Sequence, residues 1–191
     1  MALLREEIVA KLQANLDPAR FAHSLRVEKI ALALAKKWKA DQKQAGLAAL
    51  LHDCARRFDR SGLLRQAKAL GIKIDPVQQF EPKLLHAELS SLIAQAEFGV
   101  KSPAVLAAIS RHTTGAPNMS RLDKIIYLAD HIEEDRDFRG VFELRRLAFR
   151  DLDRAVIASA QNMIQYLLER GLPVDPATIL TRNYLLLKRT K

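Results

Sequence analysis

The chain has 191 residues, a formal net charge of +9 and a pI near 9.9, with 49% hydrophobic and 28% charged residues. A chain of that size and mix buries one core and is neither disordered nor fibrous, and no apolar run in it approaches the roughly 18 residues that cross a bilayer. The single cysteine, Cys54, excludes an internal disulfide and a cysteine-based zinc module, and reads as a small buried apolar residue. One domain over residues 1–191 is expected. The expected compartment is cytoplasmic, because MALLREEIVAKLQ carries Arg5, Glu6 and Glu7 where a secretory signal needs an unbroken apolar segment.

Asp17-Pro18 sets a capping carboxylate before a proline at the first helical position, where the missing N–H is not needed. The helix that follows carries Phe21, Leu25, Ile30, Leu32 and Leu34 at helical spacing, with His23 among them. Asp41 with Gln44 resembles a capping box and opens a segment with Leu47, Leu50 and Leu51, which runs into His52 and Asp53. Gly71 marks a left-handed helix stop. Leu84, Leu85, Leu89, Leu92 and Ile93 then form an apolar face that holds His86. Ser102-Pro103 starts SPAVLAAISRH, ending at His112 stacked over Ala108 and Ile109. Ser120 with Asp123 is a second capping box, with Asp in place of the usual Glu, and Asp130 lies on the same face as Ile126 and Tyr127. Gly171 closes a helix, and Asp175-Pro176 opens the last one. No segment alternates as a strand would, so the prediction is an all-α bundle of about eight to ten helices.

Any one of these histidines alone reads as a core or helix-end residue with a satisfied partner. Four on four separate helices, with Asp53 and Asp130 nearby, form the inventory from which helical bundles build metal sites. Imidazole and carboxylate without thiolate suit iron, manganese, cobalt or zinc. His52 and Asp53 are adjacent, about 100° apart around a helix, so both reach one ion only from a helix end or a distorted turn. His131 follows Asp130 in inverted order and points about 100° away, which sets it apart from the other four. Trp38, Tyr127 and Tyr166 read as core or surface aromatics rather than base-stacking platforms.

The succession His23, His52-Asp53, His86, His112 and Asp130 resembles the HD-domain superfamily of metal-dependent phosphohydrolases. Longer wording narrows this. LLHA at 84–87, HTTGAPNMSRLDKIIYLADHIE at 112–133, RDFRGVFELRRLAFRDLD at 136–153 and TRNYLL at 181–186 resemble the YqeK branch, whose members act as symmetrical bis(5'-nucleosyl)-tetraphosphatases. The resemblance implies one HD domain that cleaves diadenosine tetraphosphate to two ADP, with one or two iron ions as cofactor. It implies that His23, His52, Asp53 and Asp130 hold the principal metal, with His52 and Asp53 catalytic. His86 and His112 then contact phosphate or bind a second ion. Arg56, Thr113, Thr114, Asp130 and Arg136 are the expected phosphate contacts. The segment Pro173, Val174, Asp175, Pro176, Ala177 and Thr178, with Asn183 beyond it, is the expected nucleoside pocket.

Two alternatives stand beside this. One keeps the fold and takes another nucleotide, as a phosphatase or phosphodiesterase of other HD branches does. The other is a basic RNA-associated helical protein, drawn from the +9 charge and the terminal KRTK and set against the absence of a recognised nucleic-acid motif. The expected partner is a dinucleoside polyphosphate, with no membrane, nucleic acid ranked last and a homodimer plausible.

Overall fold

A computed structural model describes residues 3–189, so the end of the KRTK run, Thr190-Lys191, and the outer bounds of the expected domain lie outside the described residues. Among the described residues there are eleven α-helices and no strand. They are α1 (Arg5–Asn15), α2 (Pro18–Lys37), α3 (Gln42–Leu51), α4 (Arg60–Ala69), α5 (Pro76–Phe80), α6 (His86–Phe98), α7 (Pro103–Arg111), α8 (Arg121–Ile132), α9 (Val141–Ala148), α10 (Leu152–Glu169) and α11 (Pro176–Arg189). Short 3-10 turns at Cys54–Arg57 and Pro82–Leu85 precede α4 and α6. The all-helical class is as expected. The additional helix is α5, only five residues long and capped by Asp75 ahead of Pro76, the same Asp-Pro signal that opens α2 and α11.

The helix starts are built as their sequences require. Asp17 and Ser102 accept hydrogen bonds from the N–H groups of Arg20 and Val105, and Ser120 and Asp123 close a reciprocal box. Asp41 caps α3, but its box is half made, because the Gln44 amide donates to the Asp41 carboxylate instead of accepting from its backbone. Gly71 and Gly171 sit at φ +70° and +62°, the left-handed stops expected of them.

Helix α8 lies at the centre, with Leu122 through Ala129 buried without a break, and packs against α2, α3, α7 and α10. The two charged residues in that run are paired, Asp123 with Arg111 at 2.8 Å and Lys124 with Asp153 at 2.6 Å, as burial requires. Close approach of α2 and α3 follows from small residues, since Ala31, Ala35, Ala45, Ala48 and Ala49 are fully buried and a Cβ on Gly46 would already touch Leu32 at 3.4 Å. Arg5 ties α1 to this pair through a two-pronged contact with the buried Glu28, at 2.8 and 2.6 Å. One consequence decides the site. The residue that caps the end of α3, the one that caps the end of α7 and the first of α6 are brought to the same side of α8, where His23 of α2 also lies.

Candidate metal and phosphate site

His52 caps the C-terminus of α3 in helical conformation, while Asp53 leaves it at φ −111°, ψ 15° and enters the 3-10 turn. That break rotates the two side chains onto one space, the helix-end arrangement that adjacency demands. His112 caps α7 in the same way, and His86 begins α6. His23, His52, Asp53, His86 and His112 are all buried, at 0–7% exposure.

Asp53 is the hinge of the cluster. Its Oδ2 lies 3.5 Å from His52 Nε2 and 3.8 Å from His23 Nε2, while its Oδ1 lies 3.1 Å from His86 Nε2 and 3.7 Å from His112 Nε2. Asp130 Oδ1 adds to the first half, 3.1 Å from His23 Nε2 and 3.9 Å from His52 Nε2. All six sequence-predicted ligands are therefore brought together, in two lobes that share one carboxylate.

The histidine tautomers are set from behind. Nδ1 of His52 donates to the Ala49 carbonyl at 2.6 Å, that of His112 to Ile109 at 2.7 Å, and that of His86 to Lys83. Nδ1 of His23 faces the Glu133 carboxylate at 3.3 Å. Carbonyls and carboxylates only accept, so the proton sits on Nδ1 and each Nε2 offers a lone pair inward. The His23 and His52 Nε2 atoms are 3.3 Å apart, and those of His86 and His112 are 3.0 Å apart. Lone pairs facing each other at these distances, beside two carboxylates, repel unless a cation lies among them. The donor set thus fits a divalent metal, and its chemistry is that of an imidazole–carboxylate site.

The charge states agree. Burial by itself would raise the Asp53 carboxyl, yet the surrounding histidines hold it well below the usual carboxylate range. Asp130 is likewise held down against burial by its surroundings, with the Arg136 guanidinium 2.6 Å from its Oδ1. Burial pushes His52 downward and His112 to about 3, so both are neutral ligands at neutral pH.

Two supporting residues escape sequence reasoning. Arg20 donates to Asp53 Oδ2 at 2.7 Å from one turn before His23, and the buried Glu133 joins His23 to Arg26, which donates to it at 2.7 Å. The spacing of Arg20, three residues from His23 on the same helix face, was the available signal. Glu133→Gln keeps an oxygen for His23 but turns an amide toward Arg26. It is expected to weaken metal binding about ten- to a hundredfold, read by competition with a chelator of known affinity.

Of the expected phosphate contacts, Arg136 binds Asp130 Oδ1 at 2.6 Å, and Thr113 Oγ1 lies 3.2 and 3.1 Å from the Nε2 atoms of His86 and His112. Arg56 is half-buried on the turn after Asp53, its guanidinium without an ion pair among the described residues. Thr114 works through its backbone, which accepts from Thr181 at 3.3 Å. The segment 173–178 runs from the connection after α10 into the first turn of α11, with Asp175 capping α11 and Thr178 buried, while Asn183 is exposed and accepts from Arg182. No hydrogen bond or ion pair joins this segment to the cluster among the described residues. His131 turns away as expected, its Nδ1 donating to the Tyr127 carbonyl at 2.8 Å.

A cavity of about 790 Å³ opens beside the cluster, with Thr113, Asp130 and Arg136 in its wall. Cys54 donates to the Ser90 carbonyl at 3.5 Å, and burial pushes its thiol up to about 12. Iodoacetamide at about pH 8 is expected to leave Cys54 unmodified in the folded protein and to alkylate it fully after denaturation, as mass spectrometry would show.

Four histidine Nε2 atoms and two aspartates, brought together in an all-helical fold by α2, α6, α8 and the ends of α3 and α7, form a donor set of the kind that HD-type hydrolases use for a metal. Residues 20–135 match the HD domain family, and the chain belongs to that family. It is 39% identical over 181 residues, 95% of this chain and 97% of the relative, to a Bacillus subtilis (strain 168) protein named Bis(5'-nucleosyl)-tetraphosphatase, symmetrical. A Halalkalibacterium halodurans protein of the same name is 38% identical over 97% of this chain and 98% of its own. The crystal structure of a Clostridium acetobutylicum protein, titled a predicted HD superfamily hydrolase involved in NAD metabolism, superposes with a TM-score of 0.95 at 36% identity. That match covers 98% of this chain and 100% of the other.

Proposed function

We propose that this protein hydrolyses diadenosine tetraphosphate symmetrically, adding water across the central anhydride to give two ADP. The observation that carries this is the Asp53-centred cluster, whose inward lone pairs and flanking arginines suit a metal and a polyphosphate together. The names of the full-length relatives supply the substrate class.

His23, His52, Asp53 and Asp130 would hold the principal ion. His86, His112 and the second oxygen of Asp53 would hold another, because each Nδ1 is engaged with a backbone carbonyl and each Nε2 is turned toward Asp53 Oδ1. Iron is our choice of metal, resting on the thiolate-free donor set and the family resemblance. When bound, the metal supplies acidification of water and polarisation of the attacked phosphoryl group. Asp53 orients the water that adds to one β-phosphorus, and the bond from that phosphorus to the bridging oxygen breaks, so that the second ADP leaves. Arg56, Arg136 and the Thr113 hydroxyl take up charge on the phosphoryl oxygens, where most phosphoryl-transfer catalysis lies. Thr114 and the segment 173–178 with Asn183 contact the remainder of one nucleotide.

The single-domain reading rests on one buried cluster that runs from Ile8 to Leu185. No helix among the described residues is long and apolar enough to cross a membrane, and a cytoplasmic location accords with that. A homodimer accords with the exposed Leu168 and Leu180 on α10 and α11, and light scattering tests it.

Purified protein incubated with diadenosine tetraphosphate and ferrous iron is expected to yield ADP as sole nucleotide product, and chelator to abolish it. AMP or ATP among the products would show a terminal or asymmetric cut and overturn the symmetrical assignment. Absence of turnover with any divalent ion would overturn it.

A further inference from the structure

We propose that the cavity beside the cluster is a nucleoside subsite for one half of the dinucleotide, in which Phe138, Asn162 and Tyr166 receive the base. The inference rests on the symmetrical-hydrolase reading and adds to it a second recognition site. A substrate cut at its centre carries a nucleoside on each side of the reacting phosphorus, so a pocket on one flank of the cluster serves only one half. The turn at 173–178 does not line this cavity and is left for the opposite half.

At about 790 Å³ the cavity is within the range of small-molecule sites. It is continuous with the chemistry, since Thr113, Asp130 and Arg136 belong to the cluster and to the cavity wall alike. A phosphate held by Arg136 therefore has its nucleoside arm leading into this space. The far wall suits a base. Phe138 is half-buried on the segment after Arg136, and Tyr166 is 48% exposed on α10. One face of the Tyr166 ring is covered by Arg170, whose guanidinium carbon is 3.8 Å from the centroid, which leaves the other face to stack. Asn162, one turn earlier on the same face of α10, offers an amide donor and acceptor of the kind that reads a Watson–Crick edge. Tyr166 thus becomes the stacking platform that its sequence context did not reveal.

Photolabelling with 8-azidoadenosine 5'-diphosphate, followed by peptide mapping, tests the assignment without relying on turnover. Label is expected within 138–140 or 162–169. Tyr166→Ala is expected to lose that label and to raise KM for diadenosine tetraphosphate about tenfold, with Tyr166→Phe restoring both. Label confined to 173–183, with KM unmoved in Tyr166→Ala, would overturn the subsite while the hydrolase reading stands. Label in the cavity of a protein that does not cleave the dinucleotide would keep the subsite and remove that reading.

Discussion

Asp53→Asn is expected to lower kcat/KM by at least about a thousandfold and to reduce bound metal at the same time. The magnitude follows from the several kcal/mol of transition-state stabilisation that a metal supplies, since about 4 kcal/mol corresponds to a thousandfold in rate. The physical reason is the sharing of one carboxylate between two lobes. Oδ2 faces His23 and His52, and Oδ1 faces His86 and His112. Asparagine is isosteric, but it must turn its NH2 toward one of those lobes, where a donor replaces a ligand. It also removes the charge that Arg20 pairs with at 2.7 Å. Elemental analysis and steady-state kinetics on the same preparation check both losses, and circular dichroism establishes that the helices persist. Full metal content with full turnover would mean that Asp53 bridges nothing.

Gly115→Ala is expected to destabilise the fold by about 3 kcal/mol, a fall of about 10 °C in Tm for a chain of this size. Two separate costs add. Gly115 sits at φ +73°, a conformation that side chains adopt only with strain. A Cβ there would also lie 2.6 Å from Thr181 Oγ1 and 2.8 Å from its Cγ2, inside the contact that docks α11 on the end of α7. Thr181 is fully buried and hydrogen-bonded to Thr114, so it has no room to withdraw. Thr181→Ala in the Gly115→Ala background is expected to recover the packing part of the loss and leave the backbone part. Thermal unfolding of the two single variants and the double variant separates them. Equal stability of wild type and Gly115→Ala would contradict the close approach of α11 to residues 114–115.

Much of this protein is determined within a few residues of chain. Asp-Pro and Ser-Pro starts, glycine stops and apolar spacing act over a single helical turn, so the all-α class and most helix ends are legible from Asp17, Ser102, Ser120 and Gly171 alone. Asp75-Pro76 carried that same signal for α5, and its shortness hid it among the longer periodic segments. The ligand inventory is equally local in kind. Imidazoles where leucine would be unremarkable, and an aspartate next to a histidine, point to a helix end and to a metal without any contact being known.

What only the tertiary structure decided are relations between distant residues. Glu133 reaches His23 across 110 positions, and Arg20 reaches Asp53 across 33, distances over which no periodicity carries information. The tautomers of His52, His86 and His112 depend on the carbonyls of Ala49, Lys83 and Ile109 three residues back, where helical turns end, so they are fixed by the path of the backbone and not by residue type. Tyr166 gave no sign of function in its own helix, because a cavity belongs to no single segment: it exists only where α8, the segment after Arg136 and α10 stand apart. Propensity and capping choose the helices, and the packing of α8 among its neighbours decides which of their ends meet.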